Sequence, residues 1–108
     1  MGQNEETELV EGILKSLGNS VLSIILYGSV ARGDNTGESD VDIAIILSKK
    51  LSPELNDLLS DAIVDLDLKY DKVYSVVDIQ KDDYEKWRDY IPFYQNVEKE
   101  GKVLWKAA

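Results

Sequence analysis

The chain has 108 residues and carries 21 acidic against 12 basic residues, a formal net charge of −9. Its length and its 44% hydrophobic content suit one globular domain over residues 1–108 rather than a disordered tail. The sequence contains no cysteine and no histidine, which excludes disulfides, thiol catalysis, zinc sites built from those residues and histidine acid–base chemistry.

The negative charge argues against broad contact with nucleic acid, which requires clustered lysine and arginine. No apolar run approaches the roughly 18 residues of a membrane-spanning helix, and the N-terminus lacks the basic and apolar character of a signal peptide. We therefore expect a cytoplasmic protein that neither binds nucleic acid nor enters a membrane.

The first half of the chain is predicted to form one helix and two strands. Apolar residues recur at helical spacing over residues 5–17, and Gly18 with Asn19 is a natural helix stop. The apolar runs over residues 21–27 and 43–47 have the length of buried strands.

The second half is predicted to be mainly helical around one central strand. Ser52 before Pro53 is typical of a helix N-cap followed by proline at the first helical position. The predicted elements are a helix over 53–68, a strand over 73–79, helices over 81–90 and 92–100, and an edge strand over 103–105. This order predicts an α/β fold of the α+β type, a small mixed β-sheet with helices packed on it.

A polar segment between the first two predicted strands carries the residues most suited to chemistry. Gly28 allows close approach of the backbone to an anion, and Ser29 begins a helical turn that can present N–H and hydroxyl donors. Arg32 adds a planar set of donors for phosphate oxygens. Asp40 and Asp42 are two residues apart, so on a strand both carboxylates project from one face, where hard oxygen ligands suit Mg²⁺.

This segment resembles the signature of the DNA polymerase beta-type nucleotidyltransferase superfamily, and most closely its minimal nucleotidyltransferase (MNT) branch. The pattern Gly-Ser-x-Ala-Arg-Gly…Ser-Asp-x-Asp is matched from Gly28 to Asp42. The resemblance implies the nucleotidyltransferase fold, ATP as donor, and transfer of AMP to a hydroxyl with release of pyrophosphate. It also implies two Mg²⁺ ions. The site residues that it implies are Gly28, Ser29, Arg32 and Ser39 for the nucleotide, and Asp40 and Asp42 for catalysis and metal.

A third carboxylate completes the metal site in the family, and two residues compete for its position. If Val73, Val77 and Ile79 face the helices, strand alternation directs Asp78 to the site, so Asp78 is a candidate catalytic and metal residue. Spacing against the Val-Asp-Leu-Val-Asp pattern of many relatives instead places Ser75 there. Serine is a poorer metal ligand, and with it the domain would bind a nucleotide and transfer slowly, or do neither.

The resemblance also implies a partner protein. Free-standing MNT proteins of this size are commonly paired with a helical HEPN-type toxin, which they modify or cover, so we expect a hydroxyl of such a partner as acceptor. The alternative is a catalytically weak or inactive module that acts by binding. Aromatic residues near the end of the chain fit either a partner or oligomer surface or the core of a small domain. They are Tyr84, Trp87, Tyr90, Phe93, Tyr94 and Trp105.

Overall fold

A computed structural model describes residues 1–28 and 40–108 of the chain. Its helices are α1 (Gln3–Leu17), α2 (Pro53–Tyr70), α3 (Lys81–Trp87) and α4 (Pro92–Glu100). Its strands are β1 (Val21–Tyr27), β2 (Val41–Leu47), β3 (Tyr74–Gln80) and β4 (Lys102–Lys106). Each predicted element is present, which confirms the α+β class. α3 ends at Trp87, three residues earlier than predicted, and residues 88–90 form turns, with the Tyr90 and Ile91 N–H groups both donating to the Trp87 carbonyl at 2.9 Å.

The four strands form one mixed sheet in the order β3-β2-β1-β4. β1 pairs antiparallel with both β2 and β4. β2 and β3 pair in parallel, and α2 connects them as a parallel pair requires. β2 therefore has an antiparallel neighbour, β1, on one side and a parallel neighbour, β3, on the other.

The larger hydrophobic core lies between one face of the sheet and helices α1 and α2, which we call the α1/α2 face. Leu9, Ile13 and Leu17 recur every four residues on α1 and are almost wholly buried. They pack with a stripe from α2 and with alternate residues of the strands, including Ile43 and Ile45 of β2. The burial of this one face of α1 accounts for the helical spacing of apolar residues in the sequence.

A smaller core covers the opposite face, which we call the α3/α4 face. Ile25, Ala44 and Ile46 from the sheet pack there with Ile79 and with Val97 of α4. Tyr27, Tyr84, Phe93 and Tyr94 are partly buried against this core, and Trp105 against the other one. Most of the late aromatic residues therefore complete the domain, whereas Trp87 and Tyr90 are exposed by 41% and 76%.

A buried ionic network joins α1 to the start of β3. The Glu5 side chain accepts hydrogen bonds from Lys72 Nζ, at 2.8 and 3.1 Å, and from the Tyr74 hydroxyl. Burial raises the pKa of Glu5, but the hydrogen bonds from Lys72 and Tyr74 and the lysine charge together hold it below its ordinary value. The Tyr74 backbone N–H in turn donates to Asp67 of α2 at 3.0 Å. The first residue of β3 is thus fixed to both helices of its face.

Within residues 1–28 and 40–108, no helix is both long and apolar enough to cross a membrane.

Candidate active site

Asp42 lies at the centre of the candidate site, as the second residue of β2. The strand register places it opposite Tyr27 of β1 and opposite Ser75 of β3. Residues paired across neighbouring strands project to the same face of a sheet. The three side chains therefore lie side by side on the α3/α4 face, where Asp42 is only partly buried.

Gly28 follows β1 directly and packs against the Asp42 side chain. Its φ of +77° lies in the left-handed region that favours glycine. A Cβ added at this position would collide with the Asp42 carboxylate, whose Cγ would lie 3.2 Å away. The sequence analysis predicted that Gly28 allows the backbone to approach a phosphate closely. The structure shows that the Asp42 carboxylate is also an immediate neighbour of Gly28.

Asp40 lies directly before β2 and is exposed. The backbone around it is held in place, because the Val41 N–H donates to the Val73 carbonyl of the neighbouring chain segment at 2.8 Å. Asp40 and Asp42 are separated by one residue, so an extended backbone directs both side chains to the same side. Together they offer hard oxygen donors at the mouth of the site.

Ser29, Arg32 and Ser39 lie outside the described residues. Their assignment to the nucleotide phosphates stays a prediction.

The structure does not bring Asp78 together with Asp42. Asp78 is in register with Ile45, whose side chain belongs to the core of the α1/α2 face. Tyr74 and Val76, which alternate with Asp78, pack on that same core. The face assigned to Asp78 from alternation was therefore wrong. Apolar residues occur in both alternating sets of β3 residues. The pattern alone therefore did not determine which set lies on the α3/α4 face with Asp42.

Ser75, the other candidate for the family's third-carboxylate position, is the β3 residue in register with Asp42. In the described ranges, 1–28 and 40–108, no group of three acidic side chains is close enough to hold a metal ion together. Two carboxylates at an open edge nevertheless fit one Mg²⁺, which usually takes one or two carboxylates and completes its shell with water and substrate phosphates. The donor set of Asp40 and Asp42 thus fits one nucleotide-bound cation better than two.

Tyr27 and Phe93 are neighbours of the site that the sequence reasoning did not assign to it. Their rings meet edge to face with centroids 5.5 Å apart. Burial, and then the negative charge of Asp42, raise the pKa of the Tyr27 hydroxyl. Tyr27 therefore stays a neutral hydrogen-bonding group beside Asp42. Its place directly before Gly28 in the signature was the available signal.

Comparison with known proteins identifies the family of this chain. The family model described as "Polymerase beta, Nucleotidyltransferase" matches residues 8–108. A candidate protein adenylyltransferase, MJ0604 of Methanocaldococcus jannaschii, is 34% identical over 105 residues, covering 94% of this chain and 99% of that protein.

Solved structures of toxin–antitoxin complexes share the fold. A chain in a toxin–antitoxin structure with AMP-PNP aligns with a TM-score of 0.65 and 23% identity, over 94% of this chain and 73% of that one. A chain in the complex of tri-AMPylated Shewanella oneidensis HEPN toxin with MNT antitoxin aligns with a TM-score of 0.63 and 23% identity, over 99% and 74%. The match to the family model and to MJ0604 covers nearly the whole chain, so this chain belongs to the polymerase beta nucleotidyltransferase family.

Proposed function

We propose that this nucleotidyltransferase moves AMP from ATP, in a Mg²⁺-dependent reaction, to a hydroxyl on a partner protein. The observation that carries the proposal is the position of Asp42. It lies at the open end of β2, in contact with Gly28, two residues after the exposed Asp40. An acidic pair next to a glycine turn offers carboxylate ligands for Mg²⁺ and room for the phosphates that complete its shell.

Each residue has a distinct role in this proposal. Asp40 and Asp42 hold the cation, while Gly28, Ser29, Arg32 and Ser39 contact the nucleotide. Bound Mg²⁺ would neutralise phosphate charge and orient the triphosphate for in-line attack. The acceptor hydroxyl gives up its proton to water as its oxygen forms a bond to the α-phosphorus. The bond between that phosphorus and the oxygen that bridges to the β-phosphate breaks, and pyrophosphate leaves with that oxygen.

The identity of the acceptor is proposed from relatives. One relative is named for adenylyltransfer to protein, and one structural neighbour is a complex that contains an AMPylated HEPN toxin. We propose a HEPN-type helical toxin as partner and this chain as its antitoxin. The net charge of −9 makes a nucleic-acid acceptor a poor alternative.

Calorimetric titration of ATP tests the site, with and without Mg²⁺. We expect binding that requires Mg²⁺ and that Asp42→Asn abolishes, because the variant loses a charged metal ligand next to the triphosphate. Asp78→Asn is the matched control: it makes the same chemical change on the opposite face of the same sheet, and we expect it to bind as wild type does. Binding that survives Asp42→Asn would refute the assignment.

A second function is favoured by Ser75. Because a serine stands beside Asp42 where a carboxylate would help to activate the acceptor hydroxyl, the chain could hold a nucleotide without transferring it at a useful rate. In that case it neutralises its partner by binding alone. The two functions differ in one result: only the enzyme needs Asp42 to protect cells that produce the toxin.

A further inference from the structure

β3 forms one outer edge of the sheet, with β2 on its inner side. The Val73 carbonyl accepts the Val41 N–H, so the backbone groups of Val73, Ser75 and every second residue after them point to β2. In a parallel ladder the alternate residues point away from the partner strand. Those residues are Tyr74, Val76, Asp78 and Gln80.

Among the described residues, a side chain caps only the first of the outward N–H groups. Asp67 accepts the Tyr74 N–H at 3.0 Å. In the part of the chain that the structure describes, the N–H groups of Val76 and Asp78 have no such acceptor. The β4 edge differs, because it is short and bounded by the exposed cations Lys102 and Lys106, which discourage pairing. The β3 edge is thus the better template for an added strand.

A groove runs along this edge between β3 and α2. Its open volume is about 270 Å³, and its walls include Asn56, Ser60 and Val64 from α2 and Val76 and Asp78 from β3. Val64 is 52% exposed. The groove therefore offers an apolar floor, polar side chains and outward backbone donors to an extended segment.

Acidic residues on the β3 edge and on the neighbouring helix favour a positively charged occupant. Asp78 lies on the edge, and the solvent side of α2 carries further exposed acidic residues, which are Glu54, Asp57, Asp61 and Asp65. A second copy of this chain would bring the same acidic surfaces against each other, which is unfavourable. A positively charged segment is complementary to them.

We propose that the β3 edge is the docking site for an extended, basic segment of a partner protein, which adds to the sheet as a fifth strand. Backbone bonds to Val76 and Asp78 supply affinity, and alternate lysine or arginine side chains facing Asp78 supply selectivity. The surface lies on the opposite face from Asp42, so the proposal does not depend on the function proposed above.

Amide hydrogen exchange, measured by NMR on the full chain, tests this docking site. The probes are a capped seven-residue peptide of alternating lysine and valine and its counterpart with glutamate for lysine, each at millimolar concentration. We expect the basic peptide to slow exchange at the Val76 and Asp78 amides by about fivefold or more, because β-augmentation pairs these groups, and the acidic peptide to leave them unchanged.

A charge-reversal pair provides the controls. Asp78→Lys should exchange the preference for the two peptides, whereas Glu11→Lys, the same change of charge at an exposed position of α1 away from the groove, should not. Unchanged exchange with the basic peptide, or equal slowing by both peptides, would overturn the proposal. Slowing that grows with protein concentration in the absence of peptide would also overturn it, in favour of a second copy. ATP titration of the same samples reports the nucleotide site separately.

Discussion

At the level of single residues, the candidate site depends on having no side chain at position 28. Gly28→Ala would place a left-handed φ on a residue with a Cβ and direct that Cβ into the Asp42 carboxylate. We expect a loss of about 1–3 kcal/mol in the free energy of unfolding, together with weaker binding of Mg²⁺–ATP. Urea denaturation and calorimetry measure the two effects.

Gly12 provides the matched control for that substitution. It lies within α1, where a new Cβ would meet only the Ala62 Cβ at 3.9 Å. Gly12→Ala should stabilise the protein by about 0.5–1 kcal/mol, because alanine favours helix over the unfolded chain. If both variants changed stability equally, strain at position 28 would not be the cause.

Ser75 leads to a gain-of-function prediction. Ser75→Asp places a third carboxylate beside Asp42, so the number of Mn²⁺ ions bound with nucleotide should rise from about one to about two per chain, with faster transfer. Electron paramagnetic resonance of free Mn²⁺ counts the bound ions directly. Val77→Asp, one step further along the same face, is the control for added charge alone. An unchanged ion count in Ser75→Asp would contradict the one-cation interpretation.

At the level of elements, the contact between α1 and β3 depends on the ionised form of Glu5. The folded-state pKa of this carboxyl lies below the ordinary value of 4.5, so its contribution to stability is present above about pH 4.5 and disappears as pH falls through the folded value. The difference in unfolding free energy between wild type and Glu5→Gln should therefore be largest near neutral pH and shrink in acid.

Urea denaturation across a pH series measures that difference. Glu11→Gln, at an exposed position of the same helix, is the control and is expected to change the unfolding free energy less at neutral pH. If the difference in unfolding free energy between wild type and Glu5→Gln stayed constant down to about pH 3, ionisation of Glu5 would not stabilise the folded state.

The elements differ in how far the sequence determined them. α2 was predictable because Ser52 caps it, accepting the Leu55 N–H at 3.2 Å, and because one clean apolar stripe faces the core. β3 was predictable as a strand, but the sequence did not indicate which of its side chains lie on the α3/α4 face. Its register with β2 depends on the crossover through α2, and that tertiary choice alone placed Ser75, rather than Asp78, beside Asp42.

The candidate site was predictable only where its pattern lies within one short segment. The signature singles out Asp40 and Asp42 as candidates because two carboxylates one residue apart form a local pattern. The contacts of Asp42 with Gly28, and its alignment with Tyr27, depend on the antiparallel pairing of β1 with β2. The residue spacing within one strand does not indicate which residues of the other strand will lie beside it.

At the level of the whole molecule, excess negative charge opposes the compact state. A net charge of −9 repels itself, and added salt shortens the screening length from about 30 Å at 0.01 M to about 10 Å at 0.1 M. We therefore expect the melting temperature to rise by a few degrees over that range. Replacing Asp57, Asp61 and Asp65 together with asparagine should reduce the salt effect. A melting temperature that falls with salt would show that attractive ion pairs dominate instead.

The position of β4 in the sheet has a consequence for biosynthesis. β1 is an inner strand, yet one of its two neighbours is β4, which pairs Lys106 with Ser23 across almost the whole length of the chain. Until the residues of β4 have left the ribosome, β1 can pair with β2, but its other side stays unpaired. The unpaired N–H and C=O groups on that side belong to an apolar segment, so they can pair wrongly with strands of other chains. The nascent chain is therefore most vulnerable to mispairing in the interval after β1 and before β4 leave the ribosome.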